Sequence, residues 1–373
     1  MNTKTTTRTY YFSIFDLLKG YALLTIIALH VSLNFVTSVP EQLSNHPILI
    51  ELWNIFLQFP LLWNCCMIIF FMISGFGFKK APLLETFKKQ AQSLLVPYMV
   101  TGFISLALMP IFFRLVFPNN SDYFWHLKSN LFGFLFGSTG GIAVFGQETA
   151  GVGPIWFLFA LFIAWNLVNI YFHMANESIA GILAILTSFA GYLIATHIHL
   201  PYFICQGMMG TGFLFLGYFL RNHQTLLKNH SPLFWVPILG SSLISICFGQ
   251  FGIAGYVFRL GFFELIGAGC TAFILMYIAV LVDEKIDNPI CDTLRDFGAN
   301  SLIFMCIHSI DTFCVPWPTI IGHFLQYSFI SILGFSLIKF AIVFILFTAY
   351  QKLNKKYRKW KRKQKKQNQA SSR

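Results

Sequence analysis

The chain is interrupted again and again by apolar stretches of about eighteen residues or more, separated only by short polar breaks. At 1.5 Å per residue, such a run crosses the ~30 Å hydrocarbon core of a bilayer as one helix. Across the 373 residues, 56% are hydrophobic and 11% charged, with a mean hydropathy of +0.65. A water-soluble domain carries roughly 25% charged residues, so this much apolar surface calls for lipid as the solvent. The fold class that follows is all-α: a polytopic membrane helix bundle of about ten transmembrane helices. The expected spans are 12–36, 61–78, 94–117, 154–172, 178–196, 201–220, 232–250, 261–282, 299–315 and 327–350. The first apolar segment lacks a following small-residue cleavage site, so it is expected to stay as the first helix.

Charge placement orients the bundle. An even number of spans puts both termini on one side, and a cytoplasmic placement gathers Lys4, Arg8, Lys79, Lys80, Lys88, Lys89, Arg221, Lys228, Lys285 and Arg295 on the inside, leaving mainly Lys128 and Arg259 outside. The formal charge of +12 is no nucleic-acid signal, because eleven of the 26 Lys and Arg lie from Lys352 onward in one tail. That tail, interleaved with Tyr357 and Trp360, fits an anionic membrane surface or a plain stop-transfer flank. Of the eight cysteines, seven fall in apolar runs and Cys291 in a polar loop; with no metal-ligand spacing, they read as packing residues and no metal is expected. Residues 40–60 carry Glu51 and Pro60 and read as an outer interfacial helix. The Gly-rich stretch 137–154 reads as an extended outer loop, the kind that borders binding sites.

Against that background the first span, FSIFDLLKGYALLTIIALHVSLNF, is unusual because it holds Asp16, Lys19, His30 and Asn34. Eleven residues separate Lys19 from His30, which at 100° per residue returns to nearly the same face three turns on, roughly 16 Å higher. Asp16 precedes Lys19 by three residues and can meet it; Asn34 lies one turn beyond His30. An ionisable group in lipid normally faces a bundle interior or a wet cavity and marks function. An imidazole there can take up and release a hydroxyl proton near neutral pH, although an interhelical hydrogen bond is the plainer role for a lone intramembrane His. Other polar groups that could line the same cavity are Ser74, Trp156, Arg259, Glu264, Asn300, Ser301, His308 and Lys339. Lys339 lies deep in the last span and needs a carboxylate or a cavity, with Asp311 as one candidate partner.

The order and spacing of FDLLKGYALLTIIALH (15–30), FFMISGF (70–76), FKKQAQSLLVPY (87–98), GPIWFLFALF (153–162), FLFLGYFLR (213–221) and GANSLIFMCIH (298–308) resemble the acyltransferase 3 family, most closely its fucose 4-O-acetylase-like, polysaccharide O-acyltransferase branch. The resemblance implies a membrane acyltransferase domain over residues 1–350, followed by a basic cytoplasmic tail over 351–373. It implies an enzyme of the cell membrane, most naturally a bacterial cytoplasmic membrane, that moves an acetyl or other short acyl group from acyl-CoA to a sugar hydroxyl of a glycan or its lipid-linked precursor. The family's first-helix motif is Arg, ten residues, then His; Lys19 takes the Arg position and His30 the His position. Lys binds anions as a point charge, without the guanidinium fork. The family usually has Arg before Pro97 and Tyr98, where this chain has Gln90, Gln92 and Ser93, so Lys88 and Lys89 are expected to face phosphate instead. The implied catalytic set is His30, Asp16 and Lys19. Lys19, Lys79, Lys80, Lys88 and Lys89 would hold acetyl-CoA, while Asn34, Ser74, Trp156, Arg259, Glu264, Asn300, Ser301 and His308 would hold the acceptor or the oxyanion. The rival classes are a transporter or flippase of a lipid-linked sugar or small anion, for which no pair of matching broken helices is seen, and a non-catalytic membrane scaffold.

Overall fold

A computed structural model describes residues 3–33, 60–140, 142–144, 146–228, 231–285, 288–317, 319–320 and 329–371. Asn34 and the interfacial helix expected over 40–60 lie outside the described residues, apart from residue 60. The protein is an all-α membrane helix bundle. Twelve helices are described: α1 (Thr3–Leu33), α2 (Pro60–Phe76), α3 (Leu83–Val116), α4 (Asn120–Phe136), α5 (Trp156–Met174), α6 (Glu177–Ala195), α7 (Ile204–Asn222), α8 (Pro232–Phe248), α9 (Phe263–Lys285), α10 (Pro289–Ala299), α11 (Ser301–Cys314) and α12 (Phe329–Ser371). Every one of the ten expected spans corresponds to a helix. Six are long and apolar enough to cross a membrane on their own, and α2, α8 and α11 contribute shorter apolar segments. Inside lipid every backbone N–H and C=O must be satisfied within the segment, so apolar runs of this length fold as helices.

Two helices, α4 and α10, interrupt what hydropathy alone reads as polar connections. Each is fixed by local chemistry. Asn119 caps α4 by accepting from Ser121 N, and Gly137 ends it at φ +59. Asn288 caps α10 by accepting from Cys291 N, and Pro289 occupies its first turn. Cys291 is therefore a buried residue of α10, not a loop residue. None of the eight cysteines is in a disulfide.

Small residues set the tightest crossings. A Cβ on Gly20 of α1 would overlap the Leu294 carbonyl of α10, and one on Gly298 of α10 would overlap the Asp16 carbonyl of α1. The pair is reciprocal, so the two helices lie backbone to backbone. The same holds for Gly75 of α2 against Leu214 and Gly217 of α7 against Met72. In lipid, such close approach replaces the hydrophobic drive that packs helices in water. The result locks the lower half of α1, which carries Asp16 and Lys19, against α10.

The Gly-rich stretch is described except at residues 141 and 145. It forms a short antiparallel hairpin, Ile142–Val144 with Gln147–Thr149, tied down by Thr149 Oγ1 donating to Ser138 Oγ at 2.8 Å and by Ala150 N donating to Ser129 O. It then enters α5 through a 3-10 turn, Gly153–Ile155, that packs on α11. The basic tail continues α12 as one helix up to Ser371.

Candidate active site in the bundle interior

The polar stripe of α1 forms two levels. At the lower one, Lys19 Nζ lies 2.6 Å from Asp16 Oδ1, and both side chains keep partial exposure, 20% and 27%. Asp16 thus orients Lys19 along the helix, as their i, i+3 spacing allows. Three turns up, the His30 and His308 rings meet with centroids 5.2 Å apart and planes tilted by 59°. His30 is half-buried, whereas His308 on α11 is almost completely enclosed.

Lys339 of α12 finds the carboxylate that the sequence offered. Its Nζ is 3.7 Å from Asp311 Oδ2, with both side chains 2% exposed. Trp317 Nε1 donates to the other oxygen of Asp311 at 3.0 Å, and Lys339 Nζ sits 5.4 Å from the centre of the same indole. One residue thus holds both members of the ion pair in place. Both ring nitrogens of His308, Ser309 Oγ, Thr312 Oγ1, Ser105 Oγ and Lys339 Nζ are buried without a hydrogen-bond partner among the described residues. An orphaned buried polar atom costs about 1–3 kcal/mol. These atoms cluster on α11 and its neighbours α3 and α12.

The expected donor-binding lysines divide. Lys79 and Lys89 line one cleft of about 210 Å³ together with Glu85, Thr86, Gln90 and Trp165. Lys80 and Lys88 are exposed beside them in sequence. The cleft is bordered by a π-helical turn, Ala91–Leu95, within α3; such turns are rare and frequent at functional sites. It covers the segment that holds Gln92 and Ser93. Asn169 pins the cleft wall, accepting from Ala81 N at 3.2 Å and donating to Thr86 Oγ1 at 3.1 Å.

The remaining expected residues scatter. Trp156 is buried in the first turn of α5, just beyond the Gly153–Ile155 turn that packs on α11. Asn300 donates to Asp296 O at the junction of α10 and α11, and Ser301 begins α11, roughly 10 Å below His308 by helix rise. Ser74 is half-buried near the end of α2. Arg259 is exposed. Glu264, fully buried, accepts from Gln250 N at 2.5 Å and Leu260 N at 3.1 Å. The carboxylate therefore anchors the connection from α8 to α9. Trp317 and Thr312 were not singled out from the sequence; the signal that could have found Trp317 is its spacing from Asp311 just past the end of an apolar helix.

A membrane-embedded helix bundle with a basic cleft and two histidines meeting in its interior is the class of protein these features define. The acyltransferase domain model of the acyltransferase 3 family matches residues 12–351, and the chain belongs to that family. No curated protein and no solved structure matches it.

Proposed function

We propose that this membrane acyltransferase takes an acetyl or other short acyl group from acyl-CoA on the cytoplasmic side and esterifies a sugar hydroxyl of a cell-surface glycan or its lipid-linked precursor. The observation that carries the reading is the meeting of His30, which shares the helix stripe of the Asp16–Lys19 pair, with His308 of α11 inside an apolar bundle. Histidine is the side chain that exchanges a proton near neutral pH.

In this reading the lysines of the basic cleft, together with Lys19, attract and hold the phosphates of CoA. The pantetheine arm carries the thioester along the stripe toward His30. The acceptor O–H proton passes to His30 as its oxygen attacks the thioester carbonyl; the C–S bond breaks, and the departing thiolate takes the proton back from the imidazolium. Ester and free CoA thiol result, with His30 restored. Trp156, Ser74 or Asn300 would act as an oxyanion donor, a role worth about 3 kcal/mol in known enzymes. The positive-inside distribution supports cytoplasmic termini, and the proposed setting is a bacterial cytoplasmic membrane.

The test is full-length protein in lipid nanodiscs with labelled acetyl-CoA, and O-acetyl content of surface glycan in cells carrying His30→Ala. A general base contributes about 10²–10⁴-fold, so acyl transfer should fall by that order at normal protein levels. Unchanged acetylation in the variant would remove His30 from the chemistry, and movement of a lipid-linked sugar without acyl change would favour a transporter.

A further inference from the structure

On the outer side of His30, three residues of α11 form one face: His308, Asp311 and Thr312 stand at i, i+3 and i+4. Neither nitrogen of His308 has a hydrogen-bond partner among the described residues, and the same is true of Thr312 Oγ1. Lys339 Nζ and Asp311 Oδ2 face each other at 3.7 Å, too far for a hydrogen bond. The glycine-rich turn closes this face from outside. A Cβ on Gly153, at φ +65, would lie 3.7 Å from Thr312 Cγ2, so the loop backbone packs directly on α11. These are donors and acceptors held in place without a partner, and buried polar groups are matched by protein, water or ligand.

We propose that this face is the acceptor subsite, that it takes an uncharged hydroxylated ring, and that His308 binds a hydroxyl adjacent to the one His30 deprotonates. The inference rests on the reading of His30 as the base. The ring centroids are 5.2 Å apart and neither His308 nitrogen bonds to His30, so one bound ring can reach both imidazoles. Thr312 supplies a further hydroxyl one turn along. The charge balance selects against an acidic sugar: the cation at this level, Lys339, is already matched by Asp311, and Arg259 is exposed in the connection between α8 and α9. A carboxylate brought here would meet Asp311 before it met a free cation.

The experiment uses full-length protein in nanodiscs and follows CoA binding by equilibrium dialysis and thiol release from acetyl-CoA. Acceptor mimics are methyl glycosides of neutral hexoses and the methyl glycoside of glucuronic acid. For wild type, neutral glycosides should raise thiol release and the glucuronide should not. For His308→Gln, CoA affinity should stay within about twofold, while glycoside-stimulated release drops by about tenfold or more and the glycoside KM rises, which a purely structural role in donor binding would not produce. If His308→Gln fails to fold, Thr312→Val, which keeps the side-chain shape, should raise the glycoside KM severalfold. Wild-type stimulation that survives unchanged in both variants overturns the subsite and leaves the acyltransferase reading standing. A stronger response to the glucuronide, or none to any glycoside, overturns the neutral-ring class. Absence of CoA binding by wild type overturns the acyltransferase reading and this inference with it.

Discussion

The two levels of charge in this bundle obey different physics. Asp16 and Lys19 sit 2.6 Å apart with a fifth to a quarter of each side chain exposed, where water and salt screen the pair and its worth is small. Asp311 and Lys339 are farther apart, 3.7 Å, and both are sealed at 2% exposure, where the desolvation penalty rivals the attraction. Removing one partner therefore costs less at the shorter pair than at the longer one. Burial, not distance, decides what the loss of one partner costs.

That comparison breaks most sharply at Asp311. Replacing it with Leu leaves Lys339 buried without its partner, and removing one member of a buried pair costs about 3–5 kcal/mol. Asp311→Leu should lower the thermal midpoint and yield of full-length protein in nanodiscs severely. Adding Lys339→Met should restore most of that stability while leaving acyl transfer impaired. A double variant no more stable than the single one would mean the pair is not a compensated unit.

How much of this was readable beforehand follows from what hydropathy measures. Apolar runs located every span, because lipid imposes one solution on such segments. The same signal missed α4 and α10, whose amphipathic sequences are defined by Asn119, Gly137, Asn288 and Pro289 instead. Within the site, His30 and Lys19 were legible because their separation repeats along one helix. The Lys339–Asp311 pairing was legible only as a choice among partners, since tertiary contact leaves no period in the sequence. Glu264 read as a cavity group, yet its neighbours are the backbone N–H groups of Gln250 and Leu260, invisible to side-chain reasoning.

A smaller effect is expected at the basic cleft. Lys79 and Lys89 share it with Glu85, so its field is only partly positive. The double variant Lys79→Gln, Lys89→Gln should raise the acyl-CoA KM by about tenfold at low salt, with little change in kcat, and the difference should shrink by 0.5 M salt as screening shortens the reach of the charges. A fall in kcat at constant KM would place these lysines in the chemical step instead.

The smallest effect belongs to Asp16. Its carboxylate holds Lys19, but both groups reach water, so Asp16→Asn should destabilise the protein by no more than about 1 kcal/mol. Added salt should weaken the wild-type pair and close the gap between wild type and variant, whereas it should leave the loss in Asp311→Leu untouched. The backbone contact of Asp16 with Gly298 does not depend on the carboxylate, so the helix crossing persists and the measurement isolates the charge. Equal losses at Asp16 and Asp311, with equal response to salt, would show that the two levels share one environment. The sealed centre would then be as wet as the Asp16–Lys19 level, and burial could no longer set the two pairs apart.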